Sequence, residues 1–149
     1  LINCIERLKL EHEIPANVQI ESSLPVNAAI SSNAETFGII LGKLLINAWE
    51  SYPNDAPAAE RKIQLEASIS QQTNPAALEL KVIDQGTGIA PEIADTIFEP
   101  FTTTKTAVGR GMGLTIARHT IRNLAGEITL KPNTNLGVTA TMTHPLQAR

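Results

Sequence analysis

The sequence predicts an α+β protein, a two-layer α/β sandwich in which helices cover one face of a mixed, mostly antiparallel sheet. Three observations predict it. Two long segments carry apolar residues at helical spacing. Several short segments are strand-like, two of them alternating apolar and polar residues at period two. The order of these elements is not a strand–helix–strand alternation, so a fully parallel sheet is excluded.

The first helix is expected over Ser32 to Ser51. Ser32 and Glu35 stand at capping-box spacing, which would satisfy free amides at the helix start. Phe37, Ile40, Leu41, Leu44 and Ala48 then form one apolar stripe. Pro53, Asn54, Asp55 and Pro57 make a breaker-rich loop. Ile63, Leu65, Ala67 and Ile69 alternate as a half-buried strand does, and so do Leu78, Leu80 and Val82. Asn74 and Pro75 between them predict an antiparallel hairpin. The second helix is expected from Met112 to Leu124, with Leu114, Ala117, Ile121 and Leu124 on one face and Gly126 as its C-cap glycine. Ile128 to Lys131 and Val138 to His144 predict a closing hairpin. Upstream, Val18 to Ser23 is a short strand, and Leu1 to Glu13 has near-helical spacing that Pro15 ends.

Composition narrows the function. The 149 residues suit one domain, 1–149, and 42% hydrophobic with 18% charged residues can bury an ordinary core. A net charge of −3 argues against a nucleic-acid or anionic-membrane partner, because either needs a basic patch. The single cysteine, Cys4, cannot form an internal disulfide and suits a reducing, cytoplasmic setting. No stretch reaches the roughly 20 apolar residues of a membrane span, and Glu6, Arg7 and Lys9 rule out a signal peptide at the start. The chain starts without Met and reads as a piece of a longer protein, whose membrane anchoring stays open.

Three segments carry chemistry. In Asp84-Gln85-Gly86-Thr87-Gly88-Ile89, period-two counting puts Asp84 on the apolar face of its strand. A carboxylate there needs hydrogen-bond donors. A ligand amino group such as that of adenine would be one, and the glycines would let a flat ring approach. A plain turn capped by Asp84 is the alternative. In Gly109-Arg110-Gly111-Met112-Gly113-Leu114, glycines precede a helix start, an arrangement that presents amides and the positive helix end to phosphate. Neither a dinucleotide fingerprint nor a Walker lysine accompanies them. Between the two lies Ile97-Phe98-Glu99-Pro100-Phe101-Thr102-Thr103-Thr104-Lys105. It suits a lid whose aromatics anchor it and whose hydroxyls and ammonium reach phosphate, or else a polar surface loop. On the first helix, Asn47 sits at the edge of the apolar stripe. Its amide oxygen suits Mg2+, although a boundary asparagine would look the same.

In order along the chain, Leu44-Leu45-Ile46-Asn47-Ala48, DQGTGI, Phe98-Glu99-Pro100-Phe101 and GRGMGL resemble the asparagine box, first glycine box, phenylalanine box and second glycine box of sensor histidine kinase catalytic domains. These belong to a wider ATPase superfamily that includes DNA gyrase and a heat-shock chaperone. The resemblance spans Ser32 to Pro145, and NAWESYP and IFEPFTTTK look most like the nitrogen-regulator and redox-sensor branches. It implies ATP and Mg2+ as ligands. Asp84 would bind the adenine amino group in a pocket shaped by Gly86, Gly88 and Ile89. Asn47 would hold Mg2+. Phe98 and Phe101 would anchor the lid, and Thr103, Thr104, Lys105, Gly109, Gly111, Met112, Gly113 and Leu114 would line the phosphates. Thr139 would support the adenine through water. Catalysis would rest on Asn47, Lys105 and Glu50.

The implied partners are a dimerisation domain bearing the acceptor histidine, with residues 1–14 as the tail of its linker, and the response regulator of the parent kinase. One departure is Lys43, where the family usually has Asn or Glu. It argues against ATP hydrolysis of the gyrase kind, and it either neutralises phosphate charge or displaces Mg2+. A degenerate nucleotide-binding module that transfers nothing, or a serine kinase of the anti-sigma type, are the alternatives. His12, His119 and His144 are read as structural or surface residues.

Overall fold

The structure, a computed structural model, describes residues 18–22, 34–72, 74–102 and 111–146. Cys4, His12, the Leu1 to Glu13 segment and the Ser32 half of the capping box lie outside these residues.

Five strands form one sheet: β1 (Val18–Ser22), β2 (Ile63–Ser70), β3 (Ala77–Asp84), β4 (Glu127–Pro132) and β5 (Val138–Pro145). Their order is β1-β2-β3-β5-β4. β1 runs parallel to β2, and every other pairing is antiparallel. Two helices, α1 (Ala34–Trp49) and α2 (Gly113–Arg122), pack against each other and against the sheet. The expected α/β sandwich with a mixed sheet is therefore what the chain adopts.

The layering follows from the pleat. Side chains alternate faces along a strand, so the register stacks one apolar face: Leu65 opposite Val82, Leu80 opposite Met142, Ile128 opposite Met142. Leu65, Leu80, Ile128 and Met142 are fully buried, as are Ile40, Leu41 and Leu45 of α1 and Ile121 of α2. Each such side chain contributes about 1.5–3 kcal/mol by leaving water. The opposite face carries Gln64, Glu66, Lys81, Glu79, Thr139, Thr141 and Thr143, each half-exposed.

Both helices end before the expected spans do, α1 at Trp49 and not Ser51, α2 at Arg122 and not Leu124. Ser51 donates its amide to the Ala48 carbonyl at 3.3 Å, which tightens the last turn of α1. At the end of α2, Gly126 donates to Ile121 and Ala125 to Arg122, a Schellman-type closure. The left-handed residue there is Ala125, at φ 57°, and not the glycine expected. Gly126 is required for space instead: a Cβ on it would stand 2.2 Å from the Thr143 carbonyl oxygen.

Arg118 and Arg122 of α2 both bond Glu127 at the start of β4, at 2.9 Å and 2.7 Å. Burial raises the Glu127 pKa, but the hydrogen bonds from Arg122, the Ile128 amide and Arg118 outweigh it and lower the carboxyl from 4.5 to about 2. A folded value below the unfolded one stabilises above pH 4.5, and that contribution is lost as pH falls toward 2. Glu127→Gln is therefore expected to melt at a lower temperature than the wild type at pH 7, and the gap should narrow below pH 4.5 and close only as pH falls through about 2. A gap independent of pH in thermal unfolding would dismiss the ion-pair explanation.

Candidate functional site

Asp84 ends β3 on the buried face and is 3% exposed. Three groups converge on its Oδ1: the Gly86 amide at 2.9 Å, the Ser51 hydroxyl at 3.0 Å and the Val138 amide at 3.3 Å. A buried carboxylate is tolerated because such donors replace its water. The plain-turn alternative covers only the Gly86 bond; the other two come from α1 and β5.

The end of α1 is fastened to the loop after Asp84. The Ser51 carbonyl accepts from the Thr87 amide and from the Thr87 hydroxyl, both at 2.9 Å. Gly86 is required by this approach, since a Cβ there would lie 2.0 Å from the Ser51 hydroxyl oxygen. Tyr52 accepts from the Gln85 amide at 2.9 Å and donates to the Lys62 carbonyl. Burial pushes its phenol up, and the charge of Asp84 adds to that. Arg61 stacks on Trp49 and donates to the carbonyls of Trp49, Pro53, Asn54 and Ala56, which holds the loop after α1 in place.

Asn47 lies half-buried on α1, one turn before Ser51, and Lys43 lies half-buried one turn before Asn47. Residues four apart share a helix face, so Lys43, Asn47 and Ser51 form one row about 12 Å long at 1.5 Å per residue. Its far end meets α2: the Lys43 Cδ lies 3.9 Å from where a Cβ on Gly113 would stand. Gly113 opens α2, whose N-cap Met112 makes no side-chain cap and whose first turn holds no acidic residue. Lys43 has no ion-pair partner among the described residues. Glu50 is exposed and immediately precedes Ser51.

The phenylalanine segment is anchored at Phe98. The Thr115 hydroxyl donates to the Phe98 carbonyl at 2.9 Å, and the Arg118 guanidinium lies 4.3 Å from the Phe98 ring centroid. Phe101 is 75% exposed at φ 66°, so its ring anchors nothing among the described residues. Its backbone instead abuts Gly111, where a Cβ would stand 2.6 Å from the Phe101 carbonyl carbon. Thr103, Thr104, Lys105 and Gly109 lie outside the described residues. Gly88 takes φ 83° with open space where its Cβ would be, and Ile89 is half-buried beside it. Leu114 is buried in the core.

Thr139 is not brought to the Asp84 carboxylate. The pleat puts residue 139 on the open face, where its hydroxyl donates to Asn133 at 2.7 Å. Asn133 in turn donates to the Asp84 backbone carbonyl at 2.9 Å. Position 138 is the one that faces the helices, and there the chain has Val138. The sequence reading missed Ser51, Tyr52, Arg61 and Asn133. Ser51 alone had a usable signal, its four-residue spacing from Asn47.

Sequence and fold together define an ATPase-family domain. The chain belongs to the histidine kinase-, DNA gyrase B-, and HSP90-like ATPase family, whose model matches residues 32–148. It is 32% identical over 114 residues to the two-component sensor PprA of Pseudomonas aeruginosa, a match covering 75% of this chain and 12% of PprA. It is thus a small part of the length of such relatives. Among solved structures, the catalytic domain of the histidine kinase ThkA superposes with a TM-score of 0.75 at 24% identity, covering 98% of this chain and 92% of that one. The mycobacterial sensor histidine kinase MprB gives 0.72 at 20% identity, covering 99% and 92%. At these identities the structures speak to the fold alone. No helix among the described residues is long and apolar enough to cross a membrane.

Proposed function

We propose that the chain, as the single catalytic domain 1–149 of a sensor kinase, binds Mg-ATP and passes the γ-phosphoryl group to a histidine on the parent's dimerisation domain. The observation that carries this is the Lys43–Asn47–Ser51 row, which joins the head of α2 to the Asp84 carboxylate. A nucleotide laid along it has its adenine amino group at Asp84, beside Gly86, Gly88 and Ile89. Its phosphates lie at the uncapped start of α2, near Gly111, Met112 and Gly113. There the amides and the helix dipole favour negative charge. Lys105, Thr103 and Thr104 complete the phosphate contacts from the loop between Phe98 and Gly111. Glu50, three residues past Asn47, is the further catalytic group of this reading.

Mg2+ fits the donor set. No group of three His, Cys, Asp or Glu side chains that could hold a metal occurs among the described residues. An ion that keeps waters and shares phosphate oxygens needs few protein ligands, and the Asn47 amide oxygen supplies one. When bound, Mg2+ neutralises charge developing on the phosphoryl oxygens. The chain's own residues contribute position and further positive potential. Lys43, directed at Gly113 and without an acidic partner among the described residues, favours phosphate neutralisation over displacement of the metal. In the full protein the domain works in the cytoplasm, on its own dimerisation domain and ahead of a response regulator.

The test uses the full-length parent. With γ-labelled ATP and Mg2+, a phosphohistidine is expected to accumulate, and Asn47→Ala should cut its rate at least tenfold, about 1.4 kcal/mol. Nucleotide binding without any transfer would establish the non-transferring module. Label on a serine of a partner protein would establish the anti-sigma type.

A further inference from the structure

We infer that Ser51 is a positioning residue for base recognition: its hydroxyl holds the Asp84 carboxylate in the orientation that reads the adenine amino group. The inference rests on the assignment of Asp84 to the base and extends it to a residue to which the four boxes assign no role.

The geometry carries it. Among the described residues, the donors on Asp84 Oδ1 are two backbone amides, Gly86 at 2.9 Å and Val138 at 3.3 Å, and the Ser51 hydroxyl at 3.0 Å. The amides come from the turn after β3 and from β5. Ser51 comes from α1, so it is the group that ties the carboxylate to the helix carrying Asn47 and Lys43. Its backbone is held by the two bonds from Thr87, and its hydroxyl fills the space that the missing Cβ of Gly86 leaves. One proton serves two acceptors, because the Ala48 carbonyl lies 2.8 Å from the same hydroxyl. Removing the hydroxyl therefore leaves the α1 backbone ladder intact and takes a donor from Asp84. Val138, at the β5 position facing the carboxylate, offers its amide but no hydroxyl to take over.

The consequence is selective. Loosening the carboxylate weakens contacts to the base and leaves contacts to phosphate unchanged. Calorimetry on the 149-residue chain would compare wild type, Ser51→Ala, Ser51→Thr and Asp84→Asn with ATP, GTP and inorganic tripolyphosphate. Ser51→Ala is expected to bind ATP about tenfold more weakly, the cost of one hydrogen bond to a charged group. Its tripolyphosphate affinity should match the wild type, which also shows that the variant is folded. Its preference for ATP over GTP should shrink by the same factor, and Ser51→Thr, which keeps a hydroxyl, should recover most of it. Equal losses for ATP and tripolyphosphate would reduce Ser51 to a structural residue and overturn the inference, as would an unchanged ATP affinity in Ser51→Ala while Asp84→Asn loses it. No effect of Asp84→Asn would instead remove the base assignment, and this inference with it.

Discussion

Asp84→Asn is expected to weaken ATP binding by at least about a hundredfold. The carboxylate Oδ1 accepts from three donors that the fold brings to one point. An asparagine has one oxygen and one NH2 group to divide between those donors and the ligand. With its oxygen turned to Gly86, Val138 and Ser51, the NH2 meets the adenine amino group, donor against donor. Turned the other way, the NH2 meets two buried amides that cannot rotate. Each arrangement leaves at least two polar groups unpaired, at about 1–3 kcal/mol apiece, which places the loss near two orders of magnitude. Calorimetry with ATP and with GTP reads the effect. An affinity for ATP equal to the wild type would mean that the base lies elsewhere and that Asp84 is only a strand cap.

Gly137→Ala has the largest expected effect on stability, a loss of at least about 2 kcal/mol. Gly137 sits at φ 84°, where a side chain is strained regardless of space. Space is also missing: a Cβ would stand 2.1 Å from the Asp84 carbonyl oxygen and 2.7 Å from the Gln85 Cα. Both are backbone atoms and cannot swing aside. To admit the methyl group, the start of β5 must move away from the end of β3. That movement withdraws the Val138 amide from Asp84 and the Asn133 side chain from the Asp84 carbonyl. The variant should therefore melt lower in a denaturant series and, where still folded, bind ATP less tightly. A midpoint and slope unchanged from the wild type would contradict this packing.

Both predictions concern the same small region, and together they divide its parts by kind. Asp84 supplies a charged acceptor, and Gly137 supplies room. Glu127 and its two arginines act at the other side of the domain, where they bind α2 to β4 and, through Arg118, hold the ring of Phe98. Phe98 is the start of the loop that leads to Gly111. Phe101 lies open to solvent beyond it.

Much of the fold was legible because its causes are local. Period two in Ile63 to Ile69 and Leu78 to Val82 marks one buried face of a hairpin, and the chain forms that hairpin with Leu65 opposite Val82. The stripe on α1 is local in the same sense, and each of its five residues is buried. Boundaries were less legible. α2 closes on Ala125 because the hydrogen bonds to Arg122 and Ile121 set the turn, and no residue preference announces an alanine at positive φ. Thr139 illustrates a one-residue limit: in a strand, a shift of one position changes the face, and motif matching does not resolve it.

The sequence by itself determined the secondary elements, the apolar faces and the four ordered motifs that mark the ATPase family, since each depends on residues within a few positions of one another. Only the tertiary structure decided which groups meet. Ser51 and Asp84 are 33 residues apart, and Val138 and Asp84 are 54 apart. Lys43 approaches Gly113 from a different helix. Contacts of that kind are set by the packing of α1 and α2 on the sheet, where burial of the shared core outweighs every polar bond in the site. The polar groups occupy the positions that this packing leaves them.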